Sequence, residues 1–131
     1  MHFKNYYDNE EPFINENNTK HCIFDYVHYY EKNGDHIIEV KEKKAEIGVI
    51  VCGSGNGAAM TANKHKGIRA AICWSEEIAA LAKQHNKANI ISIPSRFLKE
   101  EEILSIIDVF IKEGFEGGRH ERRIKKIDQN D

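Results

Sequence analysis

The sequence predicts an α/β protein in which a parallel sheet carries helices on its faces. Three observations carry that expectation. Short apolar runs, "IGVIVC", "GIRAAICW" and "ANIISIP", recur from residue 47 onward. Each is followed by a stretch of helical character, and a glycine loop, "GSGNG", joins the first run to the first helix. Strand and helix in alternation require crossover connections, and those keep neighbouring strands parallel.

Taken in order, residues 1 to about 20 are rich in Asn, Asp and Glu and show no apolar period, which predicts a loose arm. Between Phe24 and Glu46 the pattern is mixed. "FDYVHYYEK" is compatible with a helix that has Asp25 near its start, and Asn33-Gly34 marks a turn. "HIIEV" fits a short strand or a continued helix. From Ile47 the signal sharpens. "IGVIVC" is a strand buried on both faces, and "AAMTANKHK" is a helix. "GIRAAICW" is a second buried strand, and "SEEIAALAKQHN" is a helix capped by Ser75. "ANIISIP" is a third strand. "LKEEEILSIIDVFIKEG" has apolar residues at helical spacing and ends near Gly114. A sheet of three strands leaves edge and face to be covered by the front of the chain or by a partner subunit.

At 131 residues the chain is one domain, and a net charge of −2 gives no general case for binding nucleic acid. No apolar run approaches the ~20 residues that cross a bilayer, and the polar, acidic start "MHFKNYYDNEEPF" does not read as a signal peptide. Cys22, Cys52 and Cys73 are odd in number and lack metal-type CxxC spacing. They read as reduced thiols of a cytoplasmic protein.

The loop of Gly53, Gly55 and Gly57 leaves three uses open. It can be a tight strand-to-helix turn with no ligand. It can cradle a dinucleotide, since "GSGNGA" satisfies the loose fingerprint and Glu76 lies about 20 residues beyond, where a ribose-binding acid belongs. The third use involves Cys52, which sits where the strand meets the loop. A thiol beside a helix N-terminus gains thiolate character, and converging N–H donors beside it make an oxyanion hole. Cys22 and Cys73 have no such surroundings and read as small buried hydrophobes.

Elsewhere, "KQHNKAN" puts His85 and Asn86 at a helix end, and "GGRHERRIKK" puts Arg119 and Arg123 four apart, on one face of a helix. Paired guanidiniums grip phosphate, and Arg96 adds a positive charge at the ligand edge of the sheet. His2, His21, His28 and His36 have no constellation around them.

The combination of "CGSG", "TANK", "GIRAA", "HN" and "GGRH" between Ile47 and Ile127 closely resembles the type B ribose-5-phosphate isomerases and the galactose-6-phosphate and allose-6-phosphate isomerases. "FDYVHYYEK" is similar to that family's "DYPDYA" segment, with Val27 and His28 where proline and aspartate are common. The resemblance implies a three-layer α/β/α Rossmann-like fold and a homodimer or homotetramer with shared active sites. It implies neither metal nor cofactor. It further implies that Cys52 is the base moving a proton between carbons 1 and 2 of a sugar phosphate. Gly53, Ser54, Gly55, Asn56 and Gly57 would surround the enediolate. His85 would assist ring opening, Asn86 would bind sugar, and Arg96, Arg119 and Arg123 would hold phosphate. One branch of the family carries a glutamate after the last loop glycine, where this chain has Ala58, so Cys52 is the only candidate base in the loop.

Family members open with a strand ending in "SDHAG", and nothing before Phe24 resembles it. The expected organisation is therefore an N-terminally reduced fold: an arm over residues 1–23 and an isomerase domain over 24–131. The implied activity is interconversion of ribose 5-phosphate and ribulose 5-phosphate. A non-catalytic sugar-phosphate-binding or assembly subunit is the alternative that the lost aspartate and histidine suggest.

Overall fold

The computed structural model describes residues 13–14, 20–25 and 47–129. Among these the order is β1 (Phe13–Ile14), β2 (Lys20–Asp25), β3 (Ile47–Cys52), α1 (Asn56–Ala62), β4 (Ala70–Ile72), α2 (Glu76–Asn86), β5 (Ile90–Pro94), α3 (Glu100–Lys112) and α4 (Arg119–Asp128). The sheet runs β1-β2-β3-β5-β4, with β1 antiparallel to β2 and every other pair parallel.

The front of the sheet corrects the expectation of three strands. Lys20–Asp25 pairs with β3 in register from His21 opposite Ile47 to Asp25 opposite Val51. Asp25, expected near a helix start, is instead the last residue of a strand. Phe13 and Ile14 pair with β2 inside the segment expected to be a loose arm, and β2 itself crosses the boundary expected between residues 23 and 24. The helix opening of "FDYVHYYEK" beyond Asp25, the Asn33-Gly34 turn and "HIIEV" lie outside the described residues.

Strand alternation divides the core into two clusters, one on each face of the sheet. Val49 and Val51 of β3, with Ile91 and Ile93 of β5, pack under α2 and α3 against Ala79, Ala82, Ile103, Ile106, Ile107 and Phe110. Ile50, Cys52 and Ile90 point the other way, onto Ala58 and Ala62 of α1. The result is three layers, and the two central strands are buried along their whole length. In α3 the buried residues fall at Ile103, Ile106, Ile107 and Phe110, one stripe of a helix. Phe110 and Ile106 are almost fully enclosed, and each such side chain contributes about 1.5–3 kcal/mol.

"GIRAAICW" is a three-residue edge strand of intermediate burial, not a second buried strand. Its apolar run continues into Cys73, which is enclosed, and Trp74, which is 56% exposed. Edge position follows from topology, since β5 separates β4 from β3. Asn63, just past α1, closes this edge: its amide accepts from Ala70 N–H at 2.7 Å and donates to Ala70 C=O at 3.0 Å. Ser75 caps α2 as its position predicts, accepting the Ile78 N–H at 3.2 Å.

Candidate active site

The period of β3 places Cys52 on the α1 face at the carboxyl edge of the sheet, where its Sγ accepts the Gly55 N–H at 3.1 Å. The thiol is almost enclosed, at 8% exposure. An N–H directed at sulfur favours negative charge there. The loop's shape explains its glycines. Gly55 sits at φ +81°, and a Cβ on it would stand 3.2 Å from Ser92 Oγ. A Cβ on Gly53 would stand 3.0 Å from the Arg96 guanidinium, so that side chain lies directly against the loop backbone.

The end of β5 holds the loop from beneath. Ser92, fully buried and on the same face as Cys52, donates from Oγ to Gly55 C=O at 2.8 Å. Ser95 Oγ donates to Cys52 C=O at 3.0 Å, and Arg96 N–H donates to Gly53 C=O at 3.1 Å. Exposed Ser54 and Asn56 meet through Asn56 Nδ2 to Ser54 Oγ at 3.3 Å. Gly57 lies in α1, its carbonyl accepting from Thr61 Oγ1 at 2.8 Å. Cys52, Gly53, Ser54, Gly55, Asn56, Gly57 and Arg96 therefore form one group at one edge.

His85, Asn86, Arg119 and Arg123 form a second group elsewhere. Helix α2 runs back across the sheet, so its last residues reach the amino edge. There the Asn86 and Lys87 carbonyls accept from Arg69 Nε at 3.1 and 3.2 Å, just before β4. Gly48 N–H donates to Asn89 C=O at the same edge, while Cys52 pairs with Pro94 at the other. Four residue steps separate Ile90 from Pro94, roughly 13 Å of strand at ~3.3 Å per step. Within one chain the two groups do not meet.

Around His85 the structure assembles partners that sequence spacing did not single out. His120, 6% exposed, stacks on His85 with ring centroids 4.2 Å apart and planes 10° from parallel. Glu116 Oε2 lies 3.9 Å from His85 Nε2 and 3.6 Å from His120 Nε2. Burial, followed by the charges of His85 and Arg119, holds the pKa of His120 below its usual value. Arg123 adds to the lowering, and Glu116 opposes it. Arg119 and Arg123 stand exposed on α4, one turn apart. Burial pushes the Cys73 thiol up to about 12, which leaves it a protonated core residue. Glu76, the candidate ribose acid, is exposed in the first turn of α2.

The model of the ribose/galactose isomerase family matches residues 4–127. The chain belongs to that family. A Mycoplasma genitalium protein named probable ribose-5-phosphate isomerase B is 45% identical over 107 residues, covering 76% of this chain and 70% of that one. The crystal structure of ribose-5-phosphate isomerase B from Mycoplasma genitalium with bound ribulose 5-phosphate aligns at a TM-score of 0.73 and 44% identity, covering 77% of this chain and 67% of that one. A ribose 5-phosphate isomerase from Thermotoga maritima aligns at a TM-score of 0.75 and 30% identity, over 83% of this chain and 97% of that one. The family's three-layer fold is the one described above. Among the described residues no helix is long and apolar enough to cross a membrane.

Proposed function

We propose that this chain is an aldose–ketose isomerase that interconverts ribose 5-phosphate and ribulose 5-phosphate in the cytoplasm, with an active site shared between two copies. The observation that carries the reading is the Cys52 sulfur, held under the Gly55 N–H at 3.1 Å at the head of the glycine loop. Relatives named as ribose-5-phosphate isomerases supply the substrate class.

The chemistry follows from the chain's own groups. Ring opening comes first: His85 gives a proton to the ring oxygen as the anomeric hydroxyl passes one to solvent water. The Cys52 thiolate then takes the proton from carbon 2 of the open aldose. The electron pair of that C–H bond forms the C1–C2 double bond, and the carbonyl π pair moves onto oxygen 1. Backbone donors of Gly53 to Gly57 and the hydroxyl of Ser54 answer the resulting enediolate charge. A proton passes from oxygen 2 to oxygen 1, and Cys52 returns its proton to carbon 1, leaving the carbonyl on carbon 2. Arg96, Arg119 and Arg123 hold the phosphate, and Asn86 and Asn56 orient the sugar hydroxyls. Because His85, Asn86, Arg119 and Arg123 stand at the other edge of the sheet, they serve the Cys52 of a second copy.

The direct test is turnover of ribose 5-phosphate by the purified chain and by Cys52→Ala. The base acts in proton transfer alone, so the variant loses nearly all turnover while sugar-phosphate affinity stays within a few fold. Substantial activity in Cys52→Ala overturns the assignment. Saturable binding with no turnover by the unaltered chain turns the reading toward a non-catalytic subunit.

A further inference from the structure

We propose that His85, Glu116 and His120 form a binding site for a divalent transition metal, Zn²⁺ being the ion that best suits the donors. Their ligand atoms lie within 4.8 Å of one another and come from three segments: the last turn of α2, the loop before α4, and the first turn of α4. A tetrahedral zinc with bonds of about 2.0–2.1 Å sets its ligand atoms about 3.3–3.4 Å apart. The two distances from Glu116 Oε2, 3.6 and 3.9 Å, need only a few tenths of an ångström of contraction.

The frame is built before any ion arrives. Gln84 Nε2 donates to Glu113 Oε1 at 2.9 Å, and Glu116 N–H donates to Gln84 C=O at 3.1 Å, so the loop is stapled to the turn that carries His85. Gly117 and Gly118, at φ +72° and +57°, then reverse the chain and return His120 to the same spot. His120 is enclosed and fixed, whereas the His85 side chain is 37% and the Glu116 side chain 52% exposed. Stacked rings direct their lone pairs side by side, so binding swings the freer His85 ring until both nitrogens face one point. Two imidazoles and a carboxylate suit zinc and exclude calcium and magnesium, which demand oxygen. Arg119 and Arg123 act on His120 from nearby and oppose a dication, which weakens binding. They also favour an anion or hydroxide in the fourth position.

Occupancy removes the His85 nitrogen from ring opening, so the metal inhibits. That consequence rests on the proposed function, whereas binding itself does not. Calorimetric titration of the full chain with Zn²⁺ should show one saturable site dependent on Glu116. Glu116→Gln, an exposed and conservative change, should weaken that binding by about tenfold or more, since even groups behind a ligand cost tenfold when lost. Co²⁺ should give a visible absorption band in the unaltered chain and none in Glu116→Gln. No saturable heat, or equal affinity in Glu116→Gln, would each overturn the site. Binding at this site without inhibition of ribose 5-phosphate turnover leaves the metal site standing and removes His85 from catalysis.

Discussion

If each active site takes Cys52 from one copy and His85 from another, two dead variants should rescue one another. Cys52→Ala alters the loop at the carboxyl edge, and His85→Ala alters the half-exposed end of α2 at the amino edge. Roughly 13 Å of strand separates these edges, while a general acid and a base must each come within about 3 Å of the same substrate. One chain cannot span that gap with side chains alone. In a two-fold dimer, random exchange of the variants at equal amounts makes half of all dimers mixed. Each mixed dimer holds one site with both lesions and one site with none. Specific activity should therefore rise from near zero to about a quarter of the unaltered enzyme's. The assay is ribulose 5-phosphate formation before and after mixing, with native mass spectrometry to confirm exchange. Confirmed exchange with activity fixed at background would place both residues in one chain's site and refute the reasoning.

Three further outcomes follow from named contacts. Arg123→Ala should raise the Michaelis constant for phosphorylated sugar about tenfold to a hundredfold, because a charge-assisted pair contributes about 1.5–3 kcal/mol. Activity on unphosphorylated ribose should hardly change, and equal losses on both would make Arg123 a structural residue. Gly55→Ala forces a Cβ into left-handed backbone and to 3.2 Å from Ser92 Oγ, so denaturant melts should show a loss of about 1–2 kcal/mol along with reduced turnover. Asn63→Ala removes both bonds to Ala70 at a water-accessible edge, a loss of about 1 kcal/mol that should leave the Michaelis constant unchanged.

Legibility of the fold followed the strength of local signals. Strands β3 and β5 are continuous apolar runs, α2 has a serine at its cap, and α3 carries an unbroken apolar stripe. Each announces itself within ten or so residues. "KHCIFD" does not, since lysine, histidine and aspartate interrupt its apolar residues, and the Asn-rich stretch before it reads as part of a polar arm. Its place comes from the backbone of β3, to which it pairs along five positions, and a partner strand leaves no mark on the sequence. The apolar run of β4 overstates its burial for the same reason. "AAI" is as apolar as a central strand, and only the strand order makes it an edge.

The candidate site shows a sharper division between what residue types reveal and what topology decides. Cys52 and its glycines are neighbours in the chain, and the loop geometry that unites them was readable from spacing. Their division from His85 was not, because 33 positions of sequence say nothing about which edge of a sheet a helix reaches. The direction of α2 supplies the answer: it begins at the carboxyl edge after β4 and must end at the amino edge before β5 enters. The same crossing lays α2 beside α4, which is how His120 and Glu116 come to face His85. The parallel βαβ crossover from β4 to β5 thus has two consequences here. It separates His85 from Cys52 within each chain, and it gathers imidazoles and a carboxylate where no sequence motif announces them. On the function proposed above, such a chain needs a second copy to complete each site. Loss of dimerisation should then abolish turnover without loss of helix content.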